Sequence, residues 1–306
     1  MHVKHFGSRL TALAVVFSLI SFAAMDFATA AEKPSAGKGK TYLLQYKFEM
    51  GEILRYRVEH STNIRSTVEK TTQQAESSSE SIKAWKVTDV LPNGEMEFVH
   101  VVESVRMSNR VPNRATNEYD SERDKTPPQG FEQAARAIGV PLSLIRIMPS
   151  GKIVAREEKH PQPPASEDMP ITLQLSDKPI AVGGKWDNTY DVSAERKSGT
   201  KLKVRTRRVC KLKQVKSGIA TIAVEYQILT PVSAFTEAQL VERLTKGTVR
   251  FDIAKGRVVS QKFEGNKRIL GFAGGASSMH YRSHLEERIL KPGEKLAKKP
   301  NKKTAK

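Results

Sequence analysis

The chain has 306 residues, 27% of them charged and 38% hydrophobic, and its 51 Lys and Arg against 33 Asp and Glu give a formal net charge of +18. A single cysteine, Cys210, excludes an intrachain disulfide framework, so stability has to come from packing. The basic runs lack the interleaved aromatics of a single-strand binder, which argues against nucleic acid as a partner.

Residues 1–30 read as a cleavable secretory signal peptide. Lys4 and Arg9 are basic, Leu10 to Ala24 is an apolar run, and Ala28-Thr29-Ala30 places cleavage before Ala31. The run is shorter than the ~20 residues of a membrane-spanning helix and is followed by Asp26. The expected localisation is therefore export, periplasmic or secreted, with no transmembrane segment in the mature chain. Cleavage leaves about 275 residues, room for one large β domain or two smaller ones, and a charge of about +17. Residues 31–40 are small, polar and basic and read as a flexible linker.

From Thr41 onward, polar residues alternate with β-branched or aromatic ones between Gly-containing turns. Strands are predicted over 42–48, 53–60, 82–90, 95–107, 142–148, 152–157, 185–192, 201–215, 219–229, 248–253, 257–264 and 279–290. Short helices are predicted over 131–138, closed by Gly139 and Pro141, and over 237–246, closed by Gly247, with Thr236 and Gln239 as a capping box. Trp85 and Trp186 fall in corresponding strands, where a large aromatic either anchors a core or lines a ligand site.

Three turn signals recur in the same order. Met50-Gly51-Glu52 is echoed by Gly183-Gly184-Lys185, Pro92-Asn93-Gly94 by Lys216-Ser217-Gly218, and Pro149-Ser150-Gly151-Lys152 by Ala254-Lys255-Gly256-Arg257. The expected fold is mainly β: a strongly curved antiparallel sheet, an open or half barrel, built from two diverged repeats with two short helices over its concave side. It forms a single domain, 41–290, with halves of about 41–165 and 166–290; a closed barrel or two β sandwiches are the alternatives.

Charge concentrates in two places. In Lys201-Leu202-Lys203-Val204-Arg205-Thr206-Arg207, period-two alternation puts Lys201, Lys203, Arg205 and Arg207 on one strand face. Such a ladder suits an anionic polymer or lipid headgroups, or is simply the wet face of a sheet. Residues 291–306, with seven lysines and a single Glu294, read as a disordered tail.

Other chemistry finds little support. Ser198 and Lys201 have the spacing of a serine acyl-enzyme pair, but Ser198-Gly199 reads as a hairpin turn. His280, His284 and Glu286 share one side of a strand without a supporting ligand set. Glu118, Asp120, Glu122 and Asp124 crowd a loop that lacks the order of a calcium site. No enzyme activity, cofactor or metal is expected.

The run Val101 to Met107, then Glu118-Tyr119-Asp120-Ser121, Pro127-Pro128, a short helix and Met148-Pro149-Ser150-Gly151-Lys152-Ile153, together with Gly247 to Arg257, resembles a family of exported β-rich bacterial proteins with a domain of unknown function. The resemblance spans roughly Leu43 to Leu290 and implies a β-rich exported domain without implying catalytic or ligand residues. Two functions are compatible with these features. One is a non-enzymatic envelope protein that holds anionic material through the basic face and tail. The other is a carrier whose curved sheet encloses a lipid or lipidated ligand.

Overall fold

The computed structural model describes residues 39–161 and 171–296. The signal peptide, linker residues 31–38 and tail residues 297–306 lie outside the described residues. The elements in chain order are β1 (Thr41–Tyr42), β2 (Ile53–Val68), β3 (Thr71–Val90), β4 (Met96–Arg110), β5 (Asn117–Asp120), α1 (Glu132–Arg136), β6 (Pro141–Ile147), β7 (Ile153–Glu158), β8 (Ile180–Ala181), β9 (Lys185–Glu195), β10 (Lys201–Lys216), β11 (Ile219–Ile228), α2 (Ala234–Gln239), a 3₁₀ turn (Val241–Arg243), β12 (Thr245–Asp252), β13 (Arg257–Leu270) and β14 (Ser277–Ile289).

One large antiparallel sheet runs in the order β7-β6-β4-β3-β2-β14-β13-β12-β11-β10-β9, with β5 attached to β4, while β1 and β8 pair separately. The edge strands β7 and β9 do not pair with each other, so the sheet is open. The two halves meet where β14, the last strand, lies against β2 from Ser277 opposite Val68 to Ile289 opposite Tyr56. The halves share a run of strand hairpin, short helix and second hairpin, while β5 in the first and the 3₁₀ turn and β14 in the second have no counterpart. A hairpin turns at Gly94 in one and at Ser217-Gly218 in the other, a short helix follows, and a second hairpin turns at Gly151 or Gly256; all five residues have positive φ.

The segment after β1 explains how an open sheet acquires a core. Leu44, Tyr46 and Phe48 alternate with more exposed residues as a strand would, yet residues 43–49 join no ladder. They form instead a wedge between the halves. Phe48 packs on Trp85 and Phe98 of the first half, with ring centroids 6.2 and 6.1 Å away, and Tyr46 packs edge-on to Phe251 of the second at 5.4 Å. Such pairs each add about 0.5–1.5 kcal/mol beyond the area they bury.

The wedge is also held through its backbone by the equivalent turn of each half. Tyr46 N–H donates to Pro149 O at 2.7 Å, and Lys47 N–H donates to Gly256 O at 2.9 Å. A Cβ at Gly151 would stand 2.4 Å from the Tyr46 ring, and one at Gly256 would stand 2.4 Å from Lys47 N. Arg257, beside Gly256, forms an ion pair with Glu52 at the entrance to β2. Around this contact a single core joins Tyr56, Trp85, Phe98, Ile145 and Ile147 to Cys210, Leu212, Ile222, Val249 and Phe251. One sheet contributes both sides of that core, which requires it to curl.

The structure corrects several expectations. The strand predicted over 42–48 is ladder only at Thr41–Tyr42. Strands β2 and β3 extend well past 60 and before 82, their polar arms pairing with each other out to Val68 opposite Thr71. Helix α2 begins earlier than predicted because Ser233, not Thr236, caps it, its Oγ accepting from Thr236 N–H at 3.3 Å. Gln239 instead bonds the backbone of Glu195 through both amide atoms, and Gly247 lies inside β12. Residues 291–296, expected within a disordered tail, fold back so that Leu296 is buried against Ile82 and Leu290.

Polar groups are also enclosed. Lys83 and Glu287 form an ion pair at 2.7 Å, with Lys83 Nζ lying over the rings of Tyr56 and Trp85. Near it, burial first, then Lys83 and Arg156, push the His100 pKa down to about 3. A folded-state pKa below the unfolded value near 6.5 means that stability is complete above about pH 6.5 and is lost as the pH falls toward 3. The melting temperature of the wild-type chain should therefore fall more steeply between pH 6.5 and 4 than that of His100→Gln; equal slopes would contradict this assignment.

The wedge contact has its own test, by chemical denaturation. Gly218→Ala meets open space and should lose only the ~1–2 kcal/mol of a left-handed alanine. Gly256→Ala should lose a further ~1–3 kcal/mol, because Lys47 has to be displaced. Equal losses would show that the wedge is not gripped there.

Candidate functional site

Strand β10 presents two different faces. Lys201, Lys203 and Arg205 are exposed on the outer face, and Arg207 is half-buried there. Leu202, Val204, Thr206, Arg208, Cys210 and Leu212 face inward, toward the concave side. Arg208 is thus a cation in a row of otherwise uncharged inward residues, and it is only 4% exposed. Register places it directly opposite Tyr226 on β11 and Asn188 on β9.

Around Arg208 the concave side of the second half encloses a cleft of about 350 Å³. Its floor is built by inward residues of β11 to β14, chiefly Tyr226, Phe263, Tyr281 and Leu285. One wall is the Ile171-Thr172-Leu173 loop, and the other is the 3₁₀ turn carrying Glu242 and Arg243. His60, from β2, and Gln261 and Ser283 add polar positions.

Two glycines inside strands make this floor possible. A Cβ on Gly247 would stand 2.6 Å from the Phe263 ring, and one on Gly265 would stand 2.4 Å from Ser283 Oγ and 3.2 Å from the Tyr281 ring. A glycine in a strand interior weakens the strand but admits a close neighbour. Here it lets aromatic rings lie against the sheet, leaving open the space above them.

The loop wall is tied to both halves. Tyr46 Oη donates to Leu173 O and accepts from Leu173 N–H, both at 3.1 Å, so the wedge also positions the cleft. Leu175 N–H donates to Ser150 O at 2.7 Å, while Trp186 Nε1 and Asn188 Nδ2 donate to Gln174 O at 3.0 and 3.3 Å. Opposite, α2 is anchored on the end of β9 by Thr236 and Gln239.

Electrostatics inside the cleft are unusual at one position. The Arg208 guanidinium lies 4.8 Å from the centroid of the Tyr226 ring, and Nη1 donates to Thr172 O at 3.3 Å. Its Nε is buried without a hydrogen-bond partner, and among the described residues Arg208 makes no ion pair. Burial pushes the Tyr226 hydroxyl up to about 12, against the pull of Arg208, so it stays protonated. Burial also lowers the pKa of His60, opposed by Glu242. Glu242 is exposed.

The residues singled out in the sequence sit elsewhere. Lys201, Lys203, Arg205 and Arg207 do share the outer face, but Arg205 is paired with Asp191 at 3.4 Å and Arg207 donates to Gln227 Oε1. Next to them the outer face has a shallow groove of about 760 Å³, where Lys185, Lys211, Lys246 and Lys262 are mixed with Glu225 and Glu264. Trp85 and Trp186, considered as ligand-lining, do not line the cleft. Trp85 stacks on Phe98 at 4.7 Å in the core, and Trp186 packs at the core margin with its N–H given to the loop.

His280 bonds Asn266, and His284 stands 3.9 Å from Glu286. Among the described residues no group of three or more His, Cys, Asp or Glu is placed to hold a metal ion. In the acidic loop, Asp120 pairs with Arg106 and Asp124 with Arg123. Cys210 is buried, and burial pushes its thiol up to about 12, which leaves it unreactive. Arg208 was missed in the sequence because it directly follows the outward cations, although its even-numbered position already assigned it to the opposite face.

No protein-family model matches the sequence, and no curated protein matches it. Solved structures that match include a lipovitellin chain described for its lipid–protein interactions, 13% identical with a TM-score of 0.45, over 82% of this chain and 27% of that one. Another is DynF from the dynemicin biosynthesis pathway of Micromonospora chersina, 6% identical with a TM-score of 0.20, over 83% of this chain and 93% of that one.

Proposed function

We propose that this chain is an exported binding protein that carries an apolar or amphiphilic ligand in the concave cleft of its second half. The observation behind this reading is the cleft itself: aromatic and aliphatic side chains laid along strand glycines, a volume of about 350 Å³, and a few polar groups converging at one end. Small-molecule sites typically have ~300–1,000 Å³ and this kind of lining. At ~30 Å³ for each water-sized group, the space holds roughly a dozen non-hydrogen groups, the scale of one medium-length chain.

The basic outer face supports a second, compatible role as the surface that meets anionic envelope material. Its free charge is reduced by Asp191, Glu225, Glu264 and the Lys262–Glu286 pair. That makes it better suited to loose, salt-sensitive attraction than to a specific site.

The neutral fluorescent probe N-phenyl-1-naphthylamine tests the carrier reading. It should bind once per wild-type chain with enhanced fluorescence. Gln261→Trp, which fills the cleft from its floor, should weaken binding at least tenfold while leaving the circular dichroism spectrum unchanged. Absence of binding to the wild-type chain, or equal binding to a folded Gln261→Trp variant, would refute it.

A further inference from the structure

Resting on that reading, the geometry points to Arg208 as the receptor for the oxyanion head of a single-chain amphiphile. Arg208 is an always-charged group with five N–H donors, and it cannot neutralise itself by losing a proton when buried. Buried charges are ordinarily paired. At Arg208 the protein supplies a ring face, a side-chain hydrogen bond with Tyr226 and one 3.3 Å bond to a carbonyl, leaves Nε without a partner, and among the described residues offers no counter-charge.

Arg57 and Arg146 also bury Nε without a partner, but both are ion-paired, as Arg106 is with Asp120 on the outer face, whereas Arg208 has no carboxylate among the described residues. Arg208 lines the cleft. A carboxylate or phosphate ester entering there would meet a guanidinium beside the protonated Tyr226 hydroxyl. Its chain would then lie along Phe263, Leu285 and Leu173, the apolar part of the lining. The exposed Glu242 on the 3₁₀ turn also lines the cleft and disfavours an anionic head on that side. Orientation follows from this arrangement: the head points inward to β10 and the tail toward the aromatic floor.

The test compares dodecanoate, dodecyl phosphate and neutral dodecanol, each by displacement of N-phenyl-1-naphthylamine from the full mature chain at low salt. Wild-type protein should bind at least one of the two anionic ligands ten or more times more tightly than dodecanol, and the tighter one identifies the head as carboxylate or phosphate. Arg208→Met should lose that preference while dodecanol and the probe still bind, and Arg208→Lys should keep part of it. On the unaltered chain, the carboxyl carbon of bound [1-¹³C]dodecanoate should remain ionised at pH values where the free acid is protonated.

No preference in the wild type, a preference that persists in Arg208→Met, or a bound carboxyl that titrates as the free acid does would overturn the assignment. Displacement by inorganic phosphate alone would also overturn it, by revealing a site for free anions. If the probe binds and only the preference is missing, the Arg208 assignment fails and the carrier reading stands; if the probe itself does not bind, both fail.

Discussion

The structure depends on one contact, the grip of two equivalent hairpin turns on the extended segment 43–49. An open sheet of this size has no reason to close on itself, since its edge strands β7 and β9 are unpaired. The wedge provides one. Consecutive residues, Tyr46 and Lys47, are bonded to the turn of the first half and the turn of the second, and alternate side chains face opposite halves. A sheet that is continuous through β14 and β2 at its centre is thereby folded about an inserted strand-like segment. The hydrophobic cost of leaving its concave aromatics in water supplies the driving force.

The cleft follows from the same constraint. Tyr46, having bridged to the second half, also holds Leu173 through its hydroxyl, and so fixes the loop that forms one wall. On the other side α2 and the 3₁₀ turn cover the sheet near its far end, packing Val241 on Ile269 and Tyr281. Neither cover fills the space between, where the strand glycines have already lowered the floor. A buried cation borders that space, which separates this concavity from a dry, apolar packing defect; among the described residues Arg208 has no carboxylate partner.

Much of the architecture was legible in the sequence because turns are written in glycine and asparagine chemistry. Gly94, Gly151, Gly218 and Gly256 marked hairpins that the structure forms at those positions. The wedge was not legible as such: Leu44, Tyr46 and Phe48 have the alternation of a ladder strand, and only the absence of a partner distinguishes the two. The polar arms of β2 and β3 were missed for the opposite reason. Their Ser, Thr and Glu residues show no apolar alternation, and their register is inherited from Leu54–Trp85 and Tyr56–Lys83 deeper in the sheet. Of the candidate site, the outward cations were visible and the inward one, Arg208, was not. A run of positive charge raises the charge of one face, while the position of Arg208 in the strand period places it on the other.

Native mass spectrometry of the mature chain, purified without detergent from the compartment in which it accumulates, tests the central claim most directly. A one-to-one adduct that is released on unfolding and has the mass of a single-chain carboxylate or phosphate ester is the predicted result. A chain found only at its bare mass, with the cleft intact and empty, would contradict the claim that the concave side carries a ligand.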